Sequence, residues 1–157
     1  GVVPATAARE VQGRAGVLQA RPAKWVTQAA VQEQGLRGGG WCRTEPQFQL
    51  LYAFDVLAGN EGRTAESILY DANEWYVYGT SFGRAFGTDG ALPAYLKARP
   101  PAPGAEMRRR VARLDEAGLA SALEGYLEAP ERRAILKRRD ALLALPDASV
   151  SPAGAAR

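Results

Sequence analysis

The sequence predicts an α+β fold, mainly α, with one or two short β-hairpins. Three observations carry that expectation. Two short runs flank Gln12-Gly13 near the start, an almost wholly apolar stretch runs from Glu45 to Ala58, and apolar residues recur at helical spacing through the last third. With 157 residues, 46% apolar and 24% charged, the chain has the length and composition of one domain with a real core. We expect that single domain over 1–148, comprising a hairpin at 1–21, a central segment at 45–86 and a helical part at 105–145. Residues 149–157 are small and polar and read as a flexible tail.

The elements follow in chain order. TAAREVQ (5–11) and RAGVLQA (14–20) form strands with Gly13 in the turn. Pro22 breaks the second strand, and Trp25 to Gln34 reads as a short helix. GLRGGG at 35–40 is a loop, because four glycines in six residues hold no regular structure cheaply. The stretch from Glu45 to Ala58 is a helix whose first turn accepts Pro46. Leu50, Leu51, Tyr52, Phe54, Val56 and Leu57 predict burial on most sides, and Gly59-Asn60 ends it. Ser67–Tyr70 and Trp75–Tyr78 read as short strands joined by Asp71-Ala72-Asn73. A glycine-rich loop runs from Gly79 to Gly90, one or two helical turns cover Leu92–Ala98, and RPPAPG at 99–104 is a stiff connector. Met107, Val111 and Leu114, then Leu119, Leu123, Tyr126 and Leu127, mark helices. A last helix starts at Pro130 with Ile135, Leu136, Leu142 and Leu143 on its apolar stripe and Arg and Lys opposite.

Composition removes several chemistries. There is no histidine and one cysteine, Cys42, so histidine bases, Cys/His nucleophile pairs, His-ligated zinc and internal disulfides are all excluded. The missing disulfides favour a cytoplasmic setting, although a single cysteine is equally compatible with an extracellular one. No apolar run is long enough for a membrane span, so no membrane partner is expected. The chain opens on Gly1 and its one methionine is Met107, as in a processed protein or a piece of a longer one. Charge is uneven: residues 1–44 carry six basic and two acidic groups (net +4), residues 45–98 three and seven (−4), and residues 99–157 eleven and eight (+3).

The informative segment is FDVLAGNEGRTAESILYDANEWYVYGTSFGRAF, residues 54–86, laid out as buried helix, polar loop, short hairpin and glycine-rich loop. It resembles a group of atypical bacterial kinase-like proteins, distantly akin to HipA-like toxin kinases and to secretory-pathway kinases. Their pattern reads F-D-x-L-x-x-N-x-D-R-x-x-x-N-x-L, followed by I-D-[HF]-[TSG]-R-A-F. The match falls on Phe54, Asp55, Leu57, Asn60, Arg63, Leu69, Phe82, Gly83, Arg84, Ala85 and Phe86. The resemblance implies a protein-kinase-like C-terminal lobe. It covers about the whole chain, with strong local identity only in the middle.

Three positions depart from the pattern. Gly62 stands where the family has its catalytic Asp, Ser67 where it has the metal-binding Asn, and Ser81 where it has the metal-binding Asp. Glycine offers no base, and Mg²⁺ favours charged oxygen ligands over a neutral hydroxyl. The phosphate-covering loop and lysine that an ATP site of this type needs are expected to be missing ahead of Gly1. The segment 45–86 is therefore read as a degenerate catalytic segment. The expected function is a non-catalytic, pseudokinase-like binding or assembly subunit, with no metal and no cofactor. The alternatives are a phosphotransferase half that completes its site with another chain, and a basic nucleic-acid-associated protein.

Asn60, Arg63 and Arg84 are the candidate ligand-binding residues, with structural pinning of a polar loop as the default for Asn60 and Arg63. Asp55 is read as a buried acceptor, Phe82 and Phe86 as core plugs. Glu61, Glu66 and Asp71 lack a metal-ligand spacing. The clusters Arg108, Arg109, Arg110, Arg113 and Arg132, Arg133, Lys137, Arg138, Arg139 read as solvated helix faces before they read as a nucleic-acid surface. The expected partner is another protein chain, docking on the N-terminal hairpin.

Overall fold

In the computed structural model of the protein, the described residues are 3–20, 23–38 and 43–146; the expected tail at 149–157, Cys42 and Pro22 lie outside them. The architecture is α+β and mainly helical, as the sequence predicts. Within the span expected as one domain, the chain groups into two compact units. One is Gly1–Leu51 with Arg63–Ser81, the other Tyr52–Gly62 with Phe82–Arg157.

The first unit holds both sheets. Strands β1 (Thr6–Val11) and β2 (Arg14–Gln19) pair antiparallel, from Thr6 opposite Gln19 to Val11 opposite Arg14. Gln12 and Gly13 both have positive φ, 52° and 72°, the geometry of a two-residue hairpin turn whose twist matches the flanking strands. Gln12 there is a non-glycine residue in left-handed backbone.

The second sheet has the order β3-β4-β5, all antiparallel, with β3 at Trp25–Thr27, β4 at Ile68–Asp71 and β5 at Val77–Gly79. The strand at Trp25–Thr27 corrects the helix expected from Trp25. Its backbone pairs with that of Tyr70 and its neighbours, some forty residues downstream, and local periodicity cannot report a partner that distant. Helix α1 (Gln28–Gln34) starts only after Thr27, whose hydroxyl accepts from the Ala30 N–H at 3.1 Å, and ends at Gly35 in left-handed backbone.

Helix α2 spans Thr44–Ala58. Its first half ties into the sheet through Gln47, whose Oε1 accepts from the Val77 N–H at 2.8 Å and whose Nε2 donates to the Trp75 carbonyl at 3.3 Å. Phe48, Tyr70 and Trp75 form a chain of edge-on and tilted ring contacts. Gly79 is needed at the end of β5, because a Cβ there would sit 2.6 Å from Leu51 Cδ1 and 2.8 Å from Arg63 Nη2. Burial of α2 is less complete than its composition suggests: Leu51, Ala53, Asp55, Val56 and Ala58 are buried, Tyr52, Phe54 and Leu57 are half-buried, and Leu50 is exposed.

The second unit takes α2 from Tyr52 onward, a 3-10 turn at Ala94–Leu96, and helices α3 (Ala105–Val111), α4 (Glu116–Ala122) and α5 (Ala129–Ala144). Its core is Ala53, Val56, Leu96, Val111 and Leu142, with Tyr52, Leu57, Tyr95 and Met107 packed around it. Pro101 and Pro103 in the connector are fully buried, so this stretch packs as part of the unit. Asp115 caps α4 by accepting from the Gly118 N–H at 2.7 Å, and Glu131 Oε2 reaches back to the Glu128 N–H at 2.7 Å to open α5. Tyr126, expected on the apolar stripe, is exposed beside Gly125, because α4 ends at Ala122 and the turn that follows directs Tyr126 to solvent.

Candidate functional site

The residues singled out by the sequence divide between the two units. In the first, Arg63, Ser67 and Thr80 form a closed cluster. Arg63 is buried, and its Nη1 donates to the Ser67 carbonyl at 3.0 Å, to Ser67 Oγ at 3.3 Å and to the Thr80 carbonyl at 2.6 Å. It clamps the chain entering β4 to the chain leaving β5. Thr80 adds its N–H (2.9 Å) and its hydroxyl (3.2 Å) to the same Ser67 carbonyl.

The Ser67 hydroxyl is fully occupied. It donates to the Thr64 carbonyl at 3.0 Å and accepts from the Thr64 N–H at 2.9 Å and from Arg63 Nη1 at 3.3 Å. A serine oxygen offers one donor and two acceptor lone pairs, and all three are engaged. Ser81 follows directly, exposed and in left-handed backbone at φ 61°, a conformation that costs a non-glycine residue about 1–2 kcal/mol.

In the second unit, Asp55, Asn60 and Tyr95 make a buried polar knot. Asp55 Oδ1 accepts from Asn60 Nδ2 at 3.0 Å, and Oδ2 accepts from the Tyr95 hydroxyl at 2.6 Å. Asn60 Oδ1 accepts from the Gly62 N–H at 3.1 Å, and the Asn60 N–H donates to the Asp55 carbonyl at 2.9 Å. The end of α2 is thus sealed by side chains, and Asp55 serves as the buried acceptor expected of it. Gly62 contributes only backbone. Glu61, weighed as a relocated metal ligand, accepts instead from the Ala94 N–H at 3.0 and 3.1 Å through its two oxygens. In the first unit, Asp71 is likewise engaged in its own turn, accepting from the Asn73 and Glu74 N–H groups at 2.9 Å each.

Arg84 is exposed on the loop that follows Phe82. Phe82 packs edge-on against Phe54 with ring centroids 5.5 Å apart, and Phe86 has φ 62° with its N–H on the Ala58 carbonyl. Both phenylalanines are half-buried, so they line the loop rather than plug the core. Among the described residues, no group of three or more Cys, Asp or Glu is arranged to hold a metal ion, and no helix is long and apolar enough to cross a membrane.

The basic clusters divide: Arg109, Arg110, Arg113, Arg133 and Lys137 are exposed, as expected of a solvated face, whereas Arg108, Arg132, Arg138 and Arg139 are drawn into the unit, which corrects the reading for those four. Arg138 is fully buried and donates through Nε to the Leu57 carbonyl at 2.9 Å, through Nη1 to the Gly87 carbonyl at 3.0 Å, and to the Asp89 carbonyl. Burial pushes its guanidinium below the usual arginine range, and the nearby Asp89 carboxylate partly offsets that. Arg108 donates to the carbonyls of Leu143 and Leu145, Arg139 to that of Leu114, and Arg132 to Leu127. Arg109 and Arg110 pair with Glu106. The signal for Arg138 was present in the sequence: Ile135, Arg138 and Leu142 fall at i, i+3, i+7, so Arg138 sits within the apolar stripe.

Comparison with family models, with curated proteins and with solved structures finds no match for this chain.

Proposed function

We propose that the chain is a non-catalytic, pseudokinase-like module that works by binding another polypeptide. The observation that carries this reading is the state of Ser67. The position where the resembled family holds a metal-binding Asn is here a buried hydroxyl whose donor and both acceptors are engaged by Thr64 and Arg63. Such an oxygen is buried and held within its own loop rather than presented to Mg²⁺. Gly62, in place of the catalytic Asp, supplies no base, and Ser81, in place of the metal-binding Asp, supplies no charge.

What remains of the motif is its structural half. Asp55, Asn60 and Arg63 are retained, and each stabilises a loop through buried hydrogen bonds. Retention of the loop scaffold without the groups that handle phosphate and metal supports a binding role. The β1–β2 hairpin supports a protein partner, because its edges are free of any third strand among the described residues.

The test is native purification of the tagged chain beside a variant lacking residues 5–20. A companion polypeptide, foreign or a second copy, retained by the first and lost by the second is the expected outcome. Purification of both as bare monomers, with no self-association of the chain at high concentration, contradicts the reading.

A further inference from the structure

The hairpin has two edges, and they differ. The Ala20 N–H donates to the Ala5 carbonyl at 2.8 Å, so Ala5 and Ala20 form a hydrogen-bonded pair. Such pairs alternate along an antiparallel ladder, so Ala7–Leu18, Arg9–Gly16 and Val11–Arg14 direct their backbone groups inward. The outward-facing N–H and C=O groups of β2 therefore belong to Ala15, Val17 and Gln19, and those of β1 to Thr6, Ala8 and Glu10. Strand β1 carries Arg9 and Glu10, the kind of charges that blunt an edge. From Ala15 to Ala20 the β2 edge carries none, and it holds two large exposed apolar side chains, Val17 at 66% and Leu18 at 59% of full exposure.

We infer that the β2 edge pairs antiparallel with the β2 edge of a second copy of this chain, about a two-fold axis at Val17. This rests on the reading of the chain as a binding module and names the occupant of its hairpin. The register follows from the outward-facing residues. Val17 meets its own counterpart and Ala15 meets Gln19 of the second copy, all three being residues whose N–H and C=O are available. Gly16 then faces Leu18 of the second copy in a non-hydrogen-bonded pair, where side chains lie closest, with Cα atoms about 4.5 Å apart.

That pair is complementary in size: nothing lies within 4 Å of where a Cβ on Gly16 would be, and each leucine covers the gap left by a glycine on both sides of the axis. Charge is compatible with this register: Arg14 falls opposite Ala20, so no like charges meet. The result is a four-stranded sheet in the order β1-β2-β2-β1, which escapes the marginal stability of an isolated two-stranded ribbon. The contact is small, so the dimer is weak, as befits an interface below about 1,200 Å².

The experiment is sedimentation equilibrium of the whole chain from roughly 5 µM to 500 µM, a range set to bracket a weak interface. The wild-type mass should rise from monomer to dimer across that range. Val17→Lys and Val17→Glu, which place like charges on the axis of an already exposed strand, should each stay monomeric, and their equimolar mixture should dimerise again. That recovery is specific to Val17 facing Val17. A wild-type chain that stays monomeric, a dimer indifferent to either substitution, or a mixture that fails to recover overturns the pairing. A monomer that captures a different polypeptide through the hairpin overturns it too, while leaving the binding-module reading in place.

Discussion

Arg138 on α5 donates its Nε hydrogen to the carbonyl of Leu57, 2.9 Å away at the end of α2, and does so with no exposure to solvent. The same guanidinium also reaches the carbonyls of Gly87 and Asp89. A buried arginine thereby satisfies the last turn of a helix and the loop carrying Phe86 at once. Gly59 makes room for it, since a Cβ there would lie 2.7 Å from Arg138 Nη1. Among the described residues Arg138 Nη2 has no hydrogen-bond partner, which is a cost the arrangement carries.

Arg138→Ala should therefore destabilise the protein by about 3–5 kcal/mol, because three carbonyls lose a buried donor and a cavity opens. Arg138→Lys should recover little of this, since an ammonium lacks the planar fork that serves several carbonyls together. Urea unfolding of both variants measures the loss. If lysine restored wild-type stability, charge alone would suffice and the geometric role would be wrong.

Leu51 has no exposure, whereas Phe54 is only half-buried. Leu51→Ala should cost about 2–5 kcal/mol, and Phe54→Ala should fall below the roughly 3–5 kcal/mol of a fully buried phenylalanine. Paired chemical melts read both. A larger loss at Phe54 than at Leu51 would place the packing centre of α2 on the wrong face.

Tyr95→Phe removes the hydroxyl that Asp55 accepts at 2.6 Å and leaves a buried carboxyl oxygen short of a donor. The expected loss is about 1–3 kcal/mol. Asn60→Ala in the same background should cost less than in the wild type, because both side chains act on Asp55. Strict additivity in the double-mutant cycle would mean that the knot is two independent bonds.

The parts legible in the sequence were those set by near neighbours. Gln12-Gly13 between two short runs located the first hairpin, and Pro46, the apolar run and Gly59 bounded α2 within a residue. The roles of Asp55 and Asn60 could be read because both lie at one helix end. What escaped was set by distant partners. Trp25–Thr27 is a strand only because β4 is there to pair with it, and the three-residue run carries no period of its own. Arg138 reads as one of a run of solvated arginines because composition outweighs its position in the stripe, and its acceptors lie about fifty and eighty residues away in sequence. The saturation of the Ser67 hydroxyl was invisible for the same reason, since one of its partners depends on where Arg63 is held by Thr80.

The most direct test of the non-catalytic reading is thermal unfolding with and without millimolar Mg-ATP. The segment 45–98 is net acidic at −4, which repels a triphosphate, and on the proposed pseudokinase-like reading the positions that would recruit neutralising metal are occupied by Gly62, Ser67 and Ser81. The account predicts no change in Tm. A ligand at 100 times its Kd stabilises by about 2.7 kcal/mol, which for a chain of this length is a rise of roughly 5–10 °C. A rise of that size, abolished by a chelator, would contradict it.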